Sequence, residues 1–257
     1  MSQTKTVWII GLFAALLCGG CSKKAVNAEQ IVERGGLFYE VDAEKPFTGV
    51  IVEYYENGHK KREDEYRDGK PEGKQVKWYE NGQKLNEGEY RDGKPEEKQV
   101  EWYENGQKMD EGEYRDGKVE GKWIVWYQNG QKRSEDEYRD GKREGTHVGW
   151  YENGQKMDEG EHRNGKPEEK WIVWYPNGQR KGEDEYRDGK REGTHVGWYE
   201  NGQKMDAGEY RDGKLEGKWI VWYPNGQRKR EGEYREGKPM VGTFTTWDKE
   251  GNVVKHK

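Results

Sequence analysis

The sequence predicts an all-β chain: tandem 24-residue β-hairpin repeats joined into an elongated, twisted antiparallel sheet. Three observations carry this expectation. Asn-Gly recurs with its glycine at 58, 82, 106, 130, 154, 178, 202 and 226, each step being 24 residues. A second glycine recurs at 69, 93, 117, 141, 165, 189, 213 and 237, again in steps of 24. Between these glycines lie short runs rich in Trp, Tyr, Val and Ile, the residues that suit a pleated, half-buried surface. The composition, 38% charged and 30% hydrophobic, would otherwise suggest disorder. The 12 Trp and 17 Tyr argue against that, because large rings bury much surface per residue. Net charge is −5 with both signs interleaved, which excludes the basic stripe of a nucleic-acid binder.

In chain order, the first element is a targeting segment, residues 1–20. Lys5 precedes an eleven-residue apolar run, Val7 to Leu17. As helix it would rise about 16 Å, half of a bilayer core, so it reads as a signal rather than a span. Cys18-Gly19-Gly20-Cys21 follows. This ending resembles a bacterial lipobox, with Cys21 as the residue that receives lipid and anchors the chain to a membrane. Cleavage with secretion and an uncleaved anchor are the alternatives. Residues 21–30 read as a tether and 31–257 as the repeat domain: about eight copies with degenerate ends at Ile31–Val52 and Val241–Lys257, which close the array. The last copy, Trp247 to Gly251, falls one residue late. A 48-residue doublet is superimposed: Lys122–Glu169 and Lys170–Gly217 agree at 39 of 48 positions.

Within a unit, strand A is Lys122–Tyr127 and strand B is Gln131–Tyr138. Asn-Gly between such runs is a strong hairpin signal. Pro176 and Pro224 precede it in two copies, which favours a three-residue loop ending in a left-handed glycine. The Arg-Asp-Gly-Lys edge reads as a longer connection. This loop places Tyr127 opposite Gln131 and Val125 opposite Arg133. The Trp126, Trp150, Trp174, Trp198 and Trp222 series then marks the buried face, with Gly112, Gly160 and Gly208 beneath the indoles. Glu65, Glu89, Glu113, Glu137, Glu161, Glu185, Glu209 and Glu233 read as a solvated ladder paired with Lys or Arg.

The run G-E-Y-R-D-G-K-x-E-G-K-W followed by W-Y-x-N-G-Q-K, over roughly Phe47 to Lys238, resembles MORN repeats. It is most similar to the bacterial variant in YwqK-family toxin–antitoxin antitoxins. The resemblance implies an elongated antiparallel sheet of hairpins. The antitoxin label implies a cognate toxin as partner.

No Walker loop, HExxH or G-x-S-x-G occurs, and the C-x-x-C spacing of Cys18 and Cys21 falls in the targeting segment, so no catalytic residue, metal site or cofactor is expected. His147 and His195 fill a slot that carries Trp123, Trp171 and Trp219 in other copies, which reads as packing rather than metal ligation. On the expected register Trp123, His147, Trp171, His195 and Trp219 form a row away from the Trp126 series, opposite Glu135, Glu159, Glu183 and Glu231. Like strands lie about 9.6 Å apart, so successive Trp would stand about 19 Å apart as separate, partly exposed rings. Aromatic anchors are typical of binding hot spots, making this row the candidate partner surface. The plainer reading is that each ring covers Lys and Arg stems. Three functions follow as expectations: an envelope-anchored scaffold for an unknown protein partner, a glycan or cell-wall binding module, or an antitoxin. The export signal argues against the last. Cys21→Ser is expected to move the protein from membrane to soluble fractions; a wild-type protein that never incorporates labelled palmitate would refute lipidation.

Overall fold

The computed structural model describes residues 23–254. The signal segment, Cys21 and His256 lie outside the described residues. Sixteen strands form eight hairpins, each with an A strand and a B strand. Repeat 1 is Gly49–Tyr54 and Lys60–Arg67; repeat 2, Lys70–Trp78 and Lys84–Arg91; repeat 3, Lys94–Trp102 and Lys108–Arg115; repeat 4, Lys118–Trp126 and Lys132–Arg139. Repeat 5 is Lys142–Trp150 and Lys156–Arg163; repeat 6, Lys166–Trp174 and Arg180–Arg187; repeat 7, Lys190–Trp198 and Lys204–Arg211; repeat 8, Lys214–Trp222 and Arg228–Arg235. Each repeat strand pairs antiparallel with its neighbours in sequence, within a sheet of 19 strands.

The Asn-Gly loop is the expected three-residue turn. Tyr55 N donates to His59 O at 2.8 Å and Gly58 N to Tyr55 O at 2.9 Å, with Gly58 left-handed at φ 86°. The opposite edge is tighter than expected. Asp68 and Gly69 both have positive φ, 47° and 77°, and Arg67 pairs directly with Lys70. This is a two-residue type I′ hairpin, for which Asp-Gly is among the preferred sequences because both central residues need φ > 0. The A strands therefore begin four residues earlier than the aromatic run, at Lys118 rather than Lys122 in repeat 4.

The register also departs from expectation by one residue. A bulge between Val125 and Trp126 leaves Arg133 unpaired, so Val125 faces Ser134 and Trp123 faces Asp136. A one-residue slip exchanges the two faces of a strand. Glu135 thus lies opposite Ile124, on the Trp126 face, and not opposite Trp123. At Gly149, where strand A lacks a side chain, Met157 reaches over on a diagonal although Asp158 is the paired residue.

The Trp126 face is half-buried and regular. Lys108 Nζ sits 5.5 Å from the Trp126 ring centroid, and Lys132 Nζ 5.7 Å from that of Trp150. Glu135 accepts from both Lys122 and Lys132 at 2.7 Å. The cation partners expected for the eight-copy glutamate ladder fall mainly on the glutamate two residues earlier; Glu185 instead accepts from Thr194 Oγ1 at 2.9 Å.

Consecutive repeats are tied together at both edges. Each loop tyrosine donates its hydroxyl to the backbone of the next repeat, Tyr55 to Trp78 O and Tyr151 to Trp174 O, both at 2.8 Å. Each loop asparagine accepts from its own loop and donates to the next: Asn57 Oδ1 accepts from His59 N at 2.9 Å, and Nδ2 donates to Glu80 O at 3.0 Å. At the other edge Glu72 accepts from Asp92 N at 2.9 Å.

The ends are closed by different devices. Residues 25–27, read from sequence as tether, form a strand parallel to Gly49–Tyr54. Val26, Phe47, Ile51 and Tyr66 make a small core there, backed by Ile31 and Phe38. Ile31–Arg34 and Leu37–Glu40 form a separate hairpin rather than a degenerate repeat. At the C-terminal end Tyr223 donates to Trp247 O at 3.0 Å across 24 residues instead of 23, accommodating the late final copy.

Tyr151→Phe, which deletes one inter-repeat hydrogen bond and little else, is expected to cost about 0.5–1.5 kcal/mol in denaturant titration. Tyr175→Phe should add to it nearly independently, as for units that touch only their neighbours. A loss below the noise at both positions would show that the ladder contributes nothing.

Candidate functional site

The row singled out from sequence is brought together, in a different manner from that expected. Trp123, His147, Trp171, His195 and Trp219 lie on the face opposite the Trp126 series, and the intervening B strands supply Asp136, Gly160, Asp184 and Gly208. The sequence across the sheet is therefore Trp-Asp-His-Gly, twice. The rings are not isolated. Trp171 stacks on His147 at 5.3 Å between centroids and 13° between planes, and Trp219 on His195 at 5.3 Å and 10°.

Glycine makes this possible. A Cβ added to Gly160 would fall inside the Trp171 indole, and one on Gly208 inside that of Trp219. Side chains two strands apart, nominally about 9.6 Å, lean over the bare backbone between them and meet. The glycines expected beneath the Trp126 series are thus beneath this row, as the bulged register requires. Trp219 is 8% exposed and His147 9%, so these two are buried, while Trp123, Trp171 and His195 are half-buried.

The aspartates fix the imidazoles. Asp136 Oδ1 is 2.7 Å from His147 Nδ1, and Asp158 Oδ2 is 3.5 Å from Nε2. Asp184 and Asp206 repeat this about His195, at 2.7 and 3.4 Å. Arg143 and Arg191 reach the same aspartates, Nε to Asp136 Oδ1 at 3.0 Å and to Asp184 Oδ1 at 3.1 Å. Arg191 also lies 5.2 Å over the Tyr210 ring. In the first copy His162 replaces tyrosine and meets Trp171 edge-on at 5.2 Å.

Burial alone would push the His147 imidazole down; its hydrogen bonds to Asp136 and Asp158 outweigh burial and raise it to about 9. His195 is raised to about 9 by the same balance with Asp184 and Asp206. His162 moves the other way, lowered by burial and then by Arg143 and His147. Both nitrogens of His147 and His195 thus face carboxylates, and the rings are held as imidazolium at neutral pH. A ring in that state neither accepts a proton nor ligates a metal. Among the described residues no group of three or more His, Cys, Asp or Glu is arranged to hold a metal ion.

Sequence reasoning found the ring row but missed Asp136, Asp184, Arg143, Arg191, Asp158 and Asp206. The signal was present: all six recur at a spacing of 48 rather than 24, which separates them from the residues every hairpin needs.

The repeats match a known family, described as MORN repeat variant, at residues 47–68, 71–92, 119–140, 170–188 and 215–236. Repeats 3, 5 and 7, between the matched segments, keep the same hairpin pairing. No curated protein matches the chain. Among solved structures, the crystal structures of TcdB2-TccC3 and TcdB2-TccC3-Cdc42 are similar at 10% and 11% identity, each over 76% of this chain and 13% of that one, with a TM-score of 0.21. At that TM-score neither informs the fold or the function of this chain.

Because the folded pKa values of His147 and His195 lie above the unfolded value near 6.5, their stabilisation is complete below about pH 6.5. It is lost as pH rises through about 9. Each histidine should contribute about 2–4 kcal/mol to that slope. Denaturant midpoints measured from pH 6 to 10 should fall for the wild type and flatten for His147→Gln/His195→Gln. Parallel curves for the two proteins would refute the charged-imidazole assignment.

Proposed function

We propose that this chain is a non-catalytic repeat scaffold that binds a protein partner on the face bearing the Trp-Asp-His-Gly row. The observation that carries the proposal is the chemistry of that face in repeats 4–8. Trp171, Trp219, Tyr186, Tyr210, Arg143 and Arg191 are of the three residue types that dominate interface hot spots. The tryptophans and the arginines each recur 48 residues apart, so one partner element could be gripped twice. The opposite face offers Lys and Glu over half-buried indoles, residue types depleted from interface cores. Against catalysis stands the protonation state: an imidazolium saturated by two carboxylates is not poised as a base.

Anchoring at the cell envelope through lipid on Cys21 belongs to the same proposal and rests on the Leu17-Cys18-Gly19-Gly20-Cys21 ending. An antitoxin role, implied by the family resemblance, fits an exported chain poorly, since toxins with cytoplasmic targets need cytoplasmic antidotes. A glycan ligand remains the competing class.

The test compares Arg143→Ala/Arg191→Ala with Lys108→Ala/Lys156→Ala on the other face, using crosslinked pull-downs from envelope fractions and sedimentation with purified peptidoglycan. The arginine pair should lose the captured protein at least about ten-fold, and the lysine pair should keep it. Loss by the lysine pair alone would move the interface to the other face. Retention by both, with peptidoglycan binding intact, would overturn the protein-partner reading.

A further inference from the structure

On the same face, repeats 1–4 carry a different chemistry. Where the later repeats place Trp or His in the row, repeats 2 and 3 place Gln75 and Gln99, whose side chains fold down so that Nε2 donates to Glu65 O at 2.7 Å and to Glu89 O at 2.8 Å. The smaller, lowered side chains leave a groove of about 400 Å³, walled by Tyr90, Tyr114 and Trp123. That volume is within the range of small-molecule sites.

The next row of the face runs along this groove, and its charges are segregated. Arg62 pairs across strands with Lys77, Lys77 with Asn86, Asn86 with Glu101, and Glu101 with Asp110. Two cations thus stand side by side and two carboxylates stand side by side, with an amide between the pairs; beyond Arg62 the row continues to Glu53, which is itself paired with Lys61. Like charges directly opposite one another destabilise a sheet, and interleaving the four would relieve both pairs. The equivalent positions of repeats 4–7 are Val125, Ser134, Gly149, Asp158, Val173, Gly182, Gly197 and Asp206, with no adjacent like charges. The array therefore does not demand this arrangement. A further polar group is left waiting: Asp64 lines the same groove, is 4% exposed, and holds Oδ1 without a hydrogen-bond partner while Oδ2 meets Arg62 Nε at 2.8 Å.

We propose that this groove binds a short zwitterionic peptide, its α-carboxylate at Lys77 and Arg62 and its α-ammonium group at Glu101 and Asp110. The aromatic walls favour the cationic end, since a ring face attracts a desolvated ammonium. Length follows from the sheet. Lys77 and Glu101 are two strands apart, about 9.6 Å, and three extended residues span at most about 10–11 Å. A neutral sugar would use the aromatic walls and the amides but would leave Lys77 and the Glu101–Asp110 pair without a counter-charge, Arg62 being already paired with Asp64.

Asp110 supports the assignment. Burial, and then the neighbouring Glu101 carboxylate, raise it to about 6. Across the sheet it faces Glu101 on one side and the uncharged Val125 on the other, with Tyr114 on its own strand; no cation offsets it there. Below about pH 6 it gains a proton, the acidic end loses one charge, and the ammonium group is held less well.

The experiment is calorimetric titration of the full chain with triglycine, N-acetyl-triglycine, triglycine amide and maltotriose. Triglycine should bind, and each capped form should bind at least about ten-fold more weakly. Binding should weaken as pH falls through about 6. Lys77→Gln should abolish discrimination against the amide, and Asp110→Asn discrimination against the acetyl form. Each variant removes one member of a like-charge pair and is expected to fold at least as well as the wild type. No heat with triglycine at millimolar concentration, equal binding of the capped forms, or preference for maltotriose would each overturn the proposal, and the wild-type comparison decides this without any variant.

Discussion

The hydrogen-bond ladder at the sheet edges is the constraint on which this molecule depends. A single hairpin is marginal in water, and sheets ordinarily gain stability by packing a face on another layer. Here the repeats have no second layer among the described residues, and Ile51 is the one large side chain buried below 2% exposure. What holds hairpin to hairpin, beyond the strand ladder itself, is the tyrosine and asparagine of each Asn-Gly loop reaching the next loop, and the glutamate of each Asp-Gly edge reaching the next turn. A hydroxyl that must reach a particular carbonyl 23 residues ahead tolerates no insertion. That is a physical reason for a repeat length kept at 24 through eight copies. At the last step an offset of 24 is reached instead.

With the backbone fixed in this way, the two faces are free to obey different periods. The Trp126 face repeats every 24 residues, a lysine over each of most indoles and a glutamate between cations, all at exposures where ion pairs contribute little. The other face repeats every 48. A Trp and a His can meet across a strand only if that strand carries glycine, and the next strand is then free to supply the aspartate that charges the His. Trp, Asp, His and Gly are one unit because each of these contacts presupposes the others. The array ends by the same logic: Phe244 lies over Gly232 and meets Tyr234 edge-on at 5.5 Å, standing where a further Trp or His would stand.

One face thereby holds two regions of different chemistry on one scaffold. In repeats 4–8 it is filled with stacked rings, imidazolium groups and half-exposed arginines. In repeats 1–4 glutamines replace the rings, and segregated charges line an open groove. Both follow from substitutions at a few inward slots, leaving the loops and edges that build the sheet untouched. A repeat scaffold can in this way acquire distinct sites without altering its fold.

The sequence by itself determined the repeat length, the hairpins, the Asn-Gly loop and the late final copy, because turn chemistry is local and a glycine with positive φ leaves its mark at one position. The two-residue Asp-Gly turn was equally local and could have been read from Arg67-Asp68-Gly69-Lys70. Which face each side chain joins was not local. A single bulged residue, Arg133 in repeat 4, reverses the pairing of Trp123 from Glu135 to Asp136, and no residue type announces it. The stacks, the charged imidazoles and the groove depend on that reversal, because they are made by side chains that meet across three strands. Only the tertiary structure decided them, since alternation along a strand names two faces and leaves open which partner's face each one joins.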